Sequence, residues 1–270
     1  MPPGEATAHN AEYTPGMSAI THHIARAGAG RWSARELPLR ASLTAAVLFA
    51  LAGLMGLASF GAGLAAPAAA SAAEKAARPP ITVKLIPFGA MRKAQTATYN
   101  QRHYHQHTWK LTDPKVVVLH HTSGADWESA WWTFANNTAY ASGPKPEKPG
   151  VSAHFIVDKD GTIYQCLPLT VRGRHAIGMN WTSIGIEFVQ EDVSGKDGHW
   201  MDRQILNRKK QIDSGLKLVR YLQDRFGIKN ANVVGHATAN DSPYFKDYTG
   251  IKNGAGDWFT PEVKAFRTRL

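Results

Sequence analysis

Two apolar runs in this chain end on histidine: "VVVLHHTSG", Val116 to Gly124, and "NVVGH", Asn232 to His236. A third, "SIGIEFVQ", carries a single acid, Glu187, among apolar residues. Imidazole ligates metals and exchanges protons near neutral pH. A carboxylate isolated in an apolar run is a candidate general base. Zinc commonly takes two or three neutral imidazoles plus a carboxylate and keeps one position open for water. His120 and His236 are far apart in sequence, so no single helix sets their geometry, and spacing alone leaves ordinary strand-end histidines as the plain alternative. Cys166 is the one cysteine, which excludes an internal disulfide and a Cys-rich zinc site. Its position in an apolar strand reads as a small core residue.

The elements that must position these residues are legible from periodicity. Val116–His121 is a strand, and "DWESAWWTFANNTAYAS" has an acidic start and helical aromatic spacing, which predicts a helix over 127–141. "AHFIVDKDGTIYQCLP" predicts a hairpin turning at Lys159-Asp160-Gly161. In "SIGIEFVQ", Ile184, Ile186 and Phe188 share one face and Glu187 faces the other way. Ile205, Ile212, Leu216, Val219, Leu222 and Phe226 follow a 3.6-residue period, predicting one helix over 203–226 stopped by Gly227. "TPEVKAFRTRL" opens with a Thr-Pro helix start. Strands interspersed with helices imply an α/β fold, a mixed central β-sheet flanked by helices.

Residues 1–72 read as an N-terminal leader. Arg26, Arg31, Arg35 and Arg40 precede an uncharged stretch from Ala41 to Ala73, and small residues around Ala70-Ser71-Ala72 suit cleavage. The expectation is an export signal and a secreted or cell-envelope protein. An uncleaved anchor helix is the alternative, and membrane contact is expected only through it. Residues 73–114 form a Pro- and Lys-containing lead-in with no domain of its own. There, "HYHQHTW" offers His103, His105 and His107 as an accessory metal cluster or a solvated segment. The chain has 270 residues and a net charge of +10. Such a basic protein suits an anionic wall or glycopolymer; with export, nucleic acid is not an expected partner.

Taken in order, the blocks "VVVLHHTSG", "VSAHFIVDKDGTIYQCLP", "RHAIGMNWTSIGIEF", "VVGHATANDSPYFKD" and "DW" resemble the zinc-dependent N-acetylmuramoyl-L-alanine amidases and peptidoglycan recognition proteins. The resemblance runs from about Lys115 to Leu270. It implies Zn2+ held by His120, His236 and a third ligand, with Glu187 as general base. The third ligand in that family lies about ten residues past the second histidine, which here selects Asp247, with Asp241 as competitor. Lys246 matches the family's catalytic lysine, although it adjoins Asp247 and Tyr248 stands where proline is usual. His175 and Asn180 match positions at the substrate cleft. His154 reads as structural, and Ala153 replaces the tyrosine of phage-type members. The implied reaction is hydrolysis of the amide between N-acetylmuramic acid and L-alanine in peptidoglycan or muropeptides, by a monomer. A non-catalytic peptidoglycan-binding module is the alternative.

Overall fold

The computed structural model describes residues 75–141 and 143–270; the leader and its expected export signal lie outside them. Six strands form one mixed sheet in the order β1-β4-β3-β5-β2-β6. They are β1 (Thr82–Val83), β2 (Val116–Ser123), β3 (Phe155–Val157), β4 (Ile163–Gln165), β5 (Ser183–Glu191) and β6 (Val233–Gly235). β3 and β4 form the antiparallel hairpin, whose turn needs Gly161 at φ 92. β3, β5, β2 and β6 pair in parallel.

Alternation along the strands divides the core into two faces. Val117, Leu119, Ile184, Ile186 and Phe188 pack on one face against α3 (Gly198–Asn207), α4 (Lys209–Phe226) and α5 (Thr260–Arg267). Each fully buried side chain of this kind contributes roughly 1.5–3 kcal/mol. Ile156 and Val189 face the other way, toward Ala130 and Phe134 of α2 (Trp127–Ala135). Val116 and Val118 share that second face with Met179 and Val234. By the same alternation His120 rises from the second face and His121 from the first.

Three elements differ from the sequence expectation. The helix predicted over 127–141 stops at Ala135, because Asn137 turns left-handed at φ 51 and its side-chain oxygen accepts from Gly150 N at 2.7 Å. The single helix predicted over 203–226 is two. Arg208 breaks it with an extended backbone (φ −82, ψ 94), and its guanidinium reaches Val189 O and Gln190 Oε1 at the end of β5.

The lead-in holds a helix, α1 (Ala90–Tyr104), that the sequence reading did not find. Arg92, Thr96, Tyr99, Asn100 and His103 are buried at helical spacing, so α1 packs through a largely polar stripe. Two of these side chains reach backbone acceptors: Arg92 Nη1 donates to Phe134 O at 2.6 Å and Asn100 Nδ2 to Thr108 O at 2.9 Å. No helix among the described residues is long and apolar enough to cross a membrane.

Candidate metal centre and catalytic carboxylate

Parallel pairing brings the distant residues together. Leu119 is in register with Gly235, so the next residues, His120 within β2 and His236 just past the end of β6, emerge side by side. On the other flank of β2, His120 is in register with Glu187 of β5, and parallel partners project from the same face. Asp257 arrives from the loop before α5. Its carbonyl accepts from Ala237 N at 2.8 Å, and its carboxylate accepts from His121 N at 3.3 Å. Gly235 permits this approach, since a Cβ there would meet Trp258 O at 1.7 Å. Trp258 turns the chain with φ 54 and buries its ring.

His120, His236 and Asp257 are the one group of metal-ligating type found among the described residues. His120 Nδ1 lies 3.1 Å from His236 Nδ1 and 3.7 Å from the Asp257 carboxylate, and His236 Nδ1 lies 3.1 Å from that carboxylate. A tetrahedral zinc at ~2.0–2.1 Å from each ligand would separate ligand atoms by about 3.4 Å. The spacing of the two ring nitrogens is close to that value, and the contacts to Asp257 go to Oδ2 from His120 and to Oδ1 from His236.

Proton bookkeeping gives a second, independent fit. Ser183 Oγ must donate to Met179 O (2.8 Å), because a carbonyl only accepts. His175 Nε2, 3.3 Å from the same hydroxyl, is therefore the donor to Ser183. Burial, followed by the nearby His154 and His236, holds the His175 pKa well below the ordinary value, so this ring is neutral and its Nδ1 is an acceptor. His120 Nε2 then donates to it at 3.0 Å, which leaves His120 Nδ1 a bare lone pair. The same reasoning fixes His236. Asn253 Nδ2 donates to Ile177 O at 2.7 Å, so its Oδ1 accepts from His236 Nε2 at 3.2 Å. The Nδ1 atoms of His120 and His236 and the Asp257 carboxylate thus converge on one point, an arrangement that a cation satisfies. Ligating histidines generally carry such a partner on the second nitrogen.

Glu187 has a buried Oε2 with no hydrogen-bond partner. Burial, and then the charge of Asp257, push its carboxyl well above the ordinary range. Strongly shifted groups of this kind concentrate at functional sites.

Several sequence-selected residues sit elsewhere. Asp247 is not at the cluster. Its Oδ2 is 2.7 Å from His103 Nδ1, and its Oδ1 accepts from Thr249 N at 2.8 Å. Burial alone would raise the Asp247 pKa, but the bonds from His103 and Thr249 bring it below the ordinary value. Asp241 is exposed at the end of the short 3-10 turn His236–Asp241. Asp257 takes the third place because a polar, Gly-containing loop, "YTGIKNGAG", lengthens the chain between His236 and the acid. Lys246 lays its ammonium over the rings of Trp181 (5.7 Å) and Tyr248 (4.9 Å), and so engages aromatic faces of the loop. His175 Nδ1 lies 3.0 Å from His120 Nε2, at the back of that ring. Asn180 is 1% exposed and accepts from His175 N and Ala176 N at 2.9 Å, so it shapes a loop. His154 Nε2 donates to Val171 O at 2.9 Å, and its Nδ1 accepts from Gly185 N at 3.1 Å.

The lead-in histidines do not converge either. His103 is buried between Asp247 and Glu147, and His105 stacks on Tyr248 at 3.8 Å.

The chain is thus a mixed α/β domain in which three candidate cation ligands, His120, His236 and Asp257, stand beside the Glu187 carboxylate of the neighbouring strand. The chain belongs to the N-acetylmuramoyl-L-alanine amidase family, whose model matches residues 110–247. Both Asp257 and α1 lie outside that match. Similar solved structures include a mutant endolysin from Bacillus subtilis, 28% identical, covering 58% of this chain and 84% of that one with a TM-score of 0.39. The catalytic domain of XlyA is 26% identical, covering 59% and 85%, with a TM-score of 0.39. The amidase LysC from Clostridium intestinale is 19% identical, covering 70% and 97%, with a TM-score of 0.41. No curated protein matches the chain.

Proposed function

We propose that this chain is a zinc-dependent hydrolase of the amide between the lactyl group of N-acetylmuramic acid and L-alanine, in peptidoglycan or a muropeptide. The observation that carries the reading is the convergence of three acceptors, His120 Nδ1, His236 Nδ1 and the Asp257 carboxylate, beside Glu187 in a chain of the amidase family. Zinc at that point would supply Lewis acidity toward the amide carbonyl and lower the pKa of water toward ~7.

The chain's own residues supply the rest. Glu187, with its raised pKa and unpartnered Oε2, takes a proton from the attacking water and delivers it to the departing amine of L-alanine. His175 and Asn253 hold the two ligand rings in one tautomer. The two inward acceptors and Glu187 favour the enzyme over a binding module that has lost hydrolysis. The net charge of +10 and the leader over residues 1–72 support an exported protein acting on an anionic wall.

The test is mass spectrometry of a defined muramyl peptide incubated with the purified protein, with and without a chelator. Release of a peptide with L-alanine at its free amino end, stopped by chelator and restored by zinc, is expected. An uncleaved substrate in the presence of zinc contradicts the proposal.

A further inference from the structure

The segment 175–183 stands behind both metal-site histidines. It provides His175, which accepts from His120, and Ile177 O, which fixes the Asn253 amide that receives His236. Met179 O anchors the same segment through Ser183. Asn180 closes it, because its Oδ1 gathers the His175 and Ala176 amides. The remaining group of Asn180, Nδ2, leaves the segment altogether and donates to the Tyr99 hydroxyl of α1 at 3.2 Å.

Tyr99 is 1% exposed. Its ring stacks on His103 with centroids 4.2 Å apart, and the Arg174 guanidinium lies 4.9 Å from its centre. His103 in turn bridges Glu147 Oε1 (2.9 Å) and Asp247 Oδ2 (2.7 Å), so buried polar contacts lock α1 to two loops. Arg174 Nη2 donates to Tyr140 O at 2.9 Å, joining the residue next to His175 to the same wall. A helix that precedes the family match therefore reaches His120 through only three hydrogen-bonding residues.

We infer that α1 is part of the catalytic unit, with Tyr99 acting as a positioning residue. Through Asn180 it holds the 175–183 segment so that His120 and His236 present Nδ1 to the metal. The inference rests on the zinc reading above. Tyr99 touches neither metal nor substrate, and its effect runs through the shape of the segment. Loss of the hydroxyl leaves Asn180 Nδ2 buried without an acceptor, a cost that is relieved by rotating the amide or shifting the loop. Outer partners of zinc ligands typically change metal affinity about 10–100-fold when removed. Tyr99 stands further out, and about a tenfold loss is expected.

The experiment compares Tyr99→Phe with Thr96→Val in the full chain. Thr96 sits one turn earlier on α1, where its hydroxyl donates to Arg92 O at 2.8 Å, and it serves as a control for helix loosening. Zinc affinity is read by competition with a chromophoric chelator, ligand geometry by the visible spectrum of the cobalt-loaded protein, and stability by urea unfolding without metal. Tyr99→Phe is expected to bind zinc about tenfold more weakly, with a changed cobalt spectrum. Thr96→Val is expected to bind as the wild type does at a comparable stability loss. Wild-type zinc affinity in Tyr99→Phe, or an equal loss in Thr96→Val, overturns the inference and leaves the zinc reading intact. A wild-type protein that takes up no zinc overturns the zinc reading, and this inference with it.

Discussion

Replacing Asp257 by Asn separates the two acids that compete for the third ligand position. The amide keeps the shape of the side chain and an oxygen for His121 N, but it removes the negative charge facing His236 Nδ1 at 3.1 Å. Four-ligand structural zinc sites bind with roughly 10–16 kcal/mol, or about 3 kcal/mol per ligand. At ~1.4 kcal/mol per tenfold, Asp257→Asn should weaken zinc binding by about two orders of magnitude. Asp247→Asn disturbs a different place, the His103 bridge between α1 and two loops. It should cost about 1–3 kcal/mol of stability through a buried bond that is no longer charge-assisted. Its zinc affinity should stay within about threefold of the wild type, well short of a lost ligand's ~3 kcal/mol. Chelator competition gives the affinities and urea unfolding the stabilities. A large zinc loss in Asp247→Asn with wild-type affinity in Asp257→Asn would refute the reasoning and return the ligand to Asp247.

Glu187→Gln should lower kcat by about 10²–10⁴ while zinc affinity changes little, measured by peptide release and chelator competition; an active Gln variant removes Glu187 from the proton path. The same residue predicts a pH effect in the metal-free protein. Its folded pKa is raised above the ordinary 4.5, so the folded state holds the proton more tightly than the unfolded chain does. Its contribution is complete below about pH 4.5 and is lost as pH rises through the folded value, at ~1.4 kcal/mol for each pH unit that separates the folded and unfolded values. Urea unfolding should show metal-free Glu187→Gln gaining on the wild type as pH rises above about 4.5, and parallel profiles would contradict this. Gly235→Ala should cost at least about 3 kcal/mol, because the new methyl meets Trp258 O, a backbone atom that cannot swing aside. A variant with a normal thermal midpoint and normal zinc uptake would show that this close approach does not hold Asp257.

Much of the architecture was readable because it follows from repetition. The alternation in "SIGIEFVQ" puts Ile184, Ile186 and Phe188 in one core and turns Glu187 the other way. The hairpin at Lys159-Asp160-Gly161 follows from its turn residues. α1 escaped notice because its buried stripe is built from Arg92, Thr96, Asn100 and His103, and periodicity of apolar residues cannot register a polar face. The break at Arg208 has no Gly or Pro to mark it; it depends on a guanidinium finding acceptors on β5.

At the site, strand-end histidines were visible as a pair of similar runs, whereas the acid beside them depends on a loop path. The block around Asp247 departs from the family pattern, with Lys246 adjoining and Tyr248 for proline, and a longer loop carries the chain past it to Asp257. The one local sign was the "GDW" before the Thr-Pro start of α5, an acid placed next to a tryptophan that is itself fully buried. His175 and Asn180 look like cleft residues in a one-dimensional motif. The structure adds their partners, His120 and Ser183 for His175 and Tyr99 for Asn180, which a linear motif does not carry.

Titrating zinc into the metal-free protein, while following release of the L-alanine-ended peptide from a muramyl peptide, measures how far hydrolysis depends on the metal. Activity of the wild type should rise linearly from near zero and level off at one equivalent of zinc. In Asp257→Asn the rise should be shallow and shifted to higher zinc. Peptide release that is indifferent to zinc and chelator, or none at saturating zinc, would contradict zinc-dependent hydrolysis.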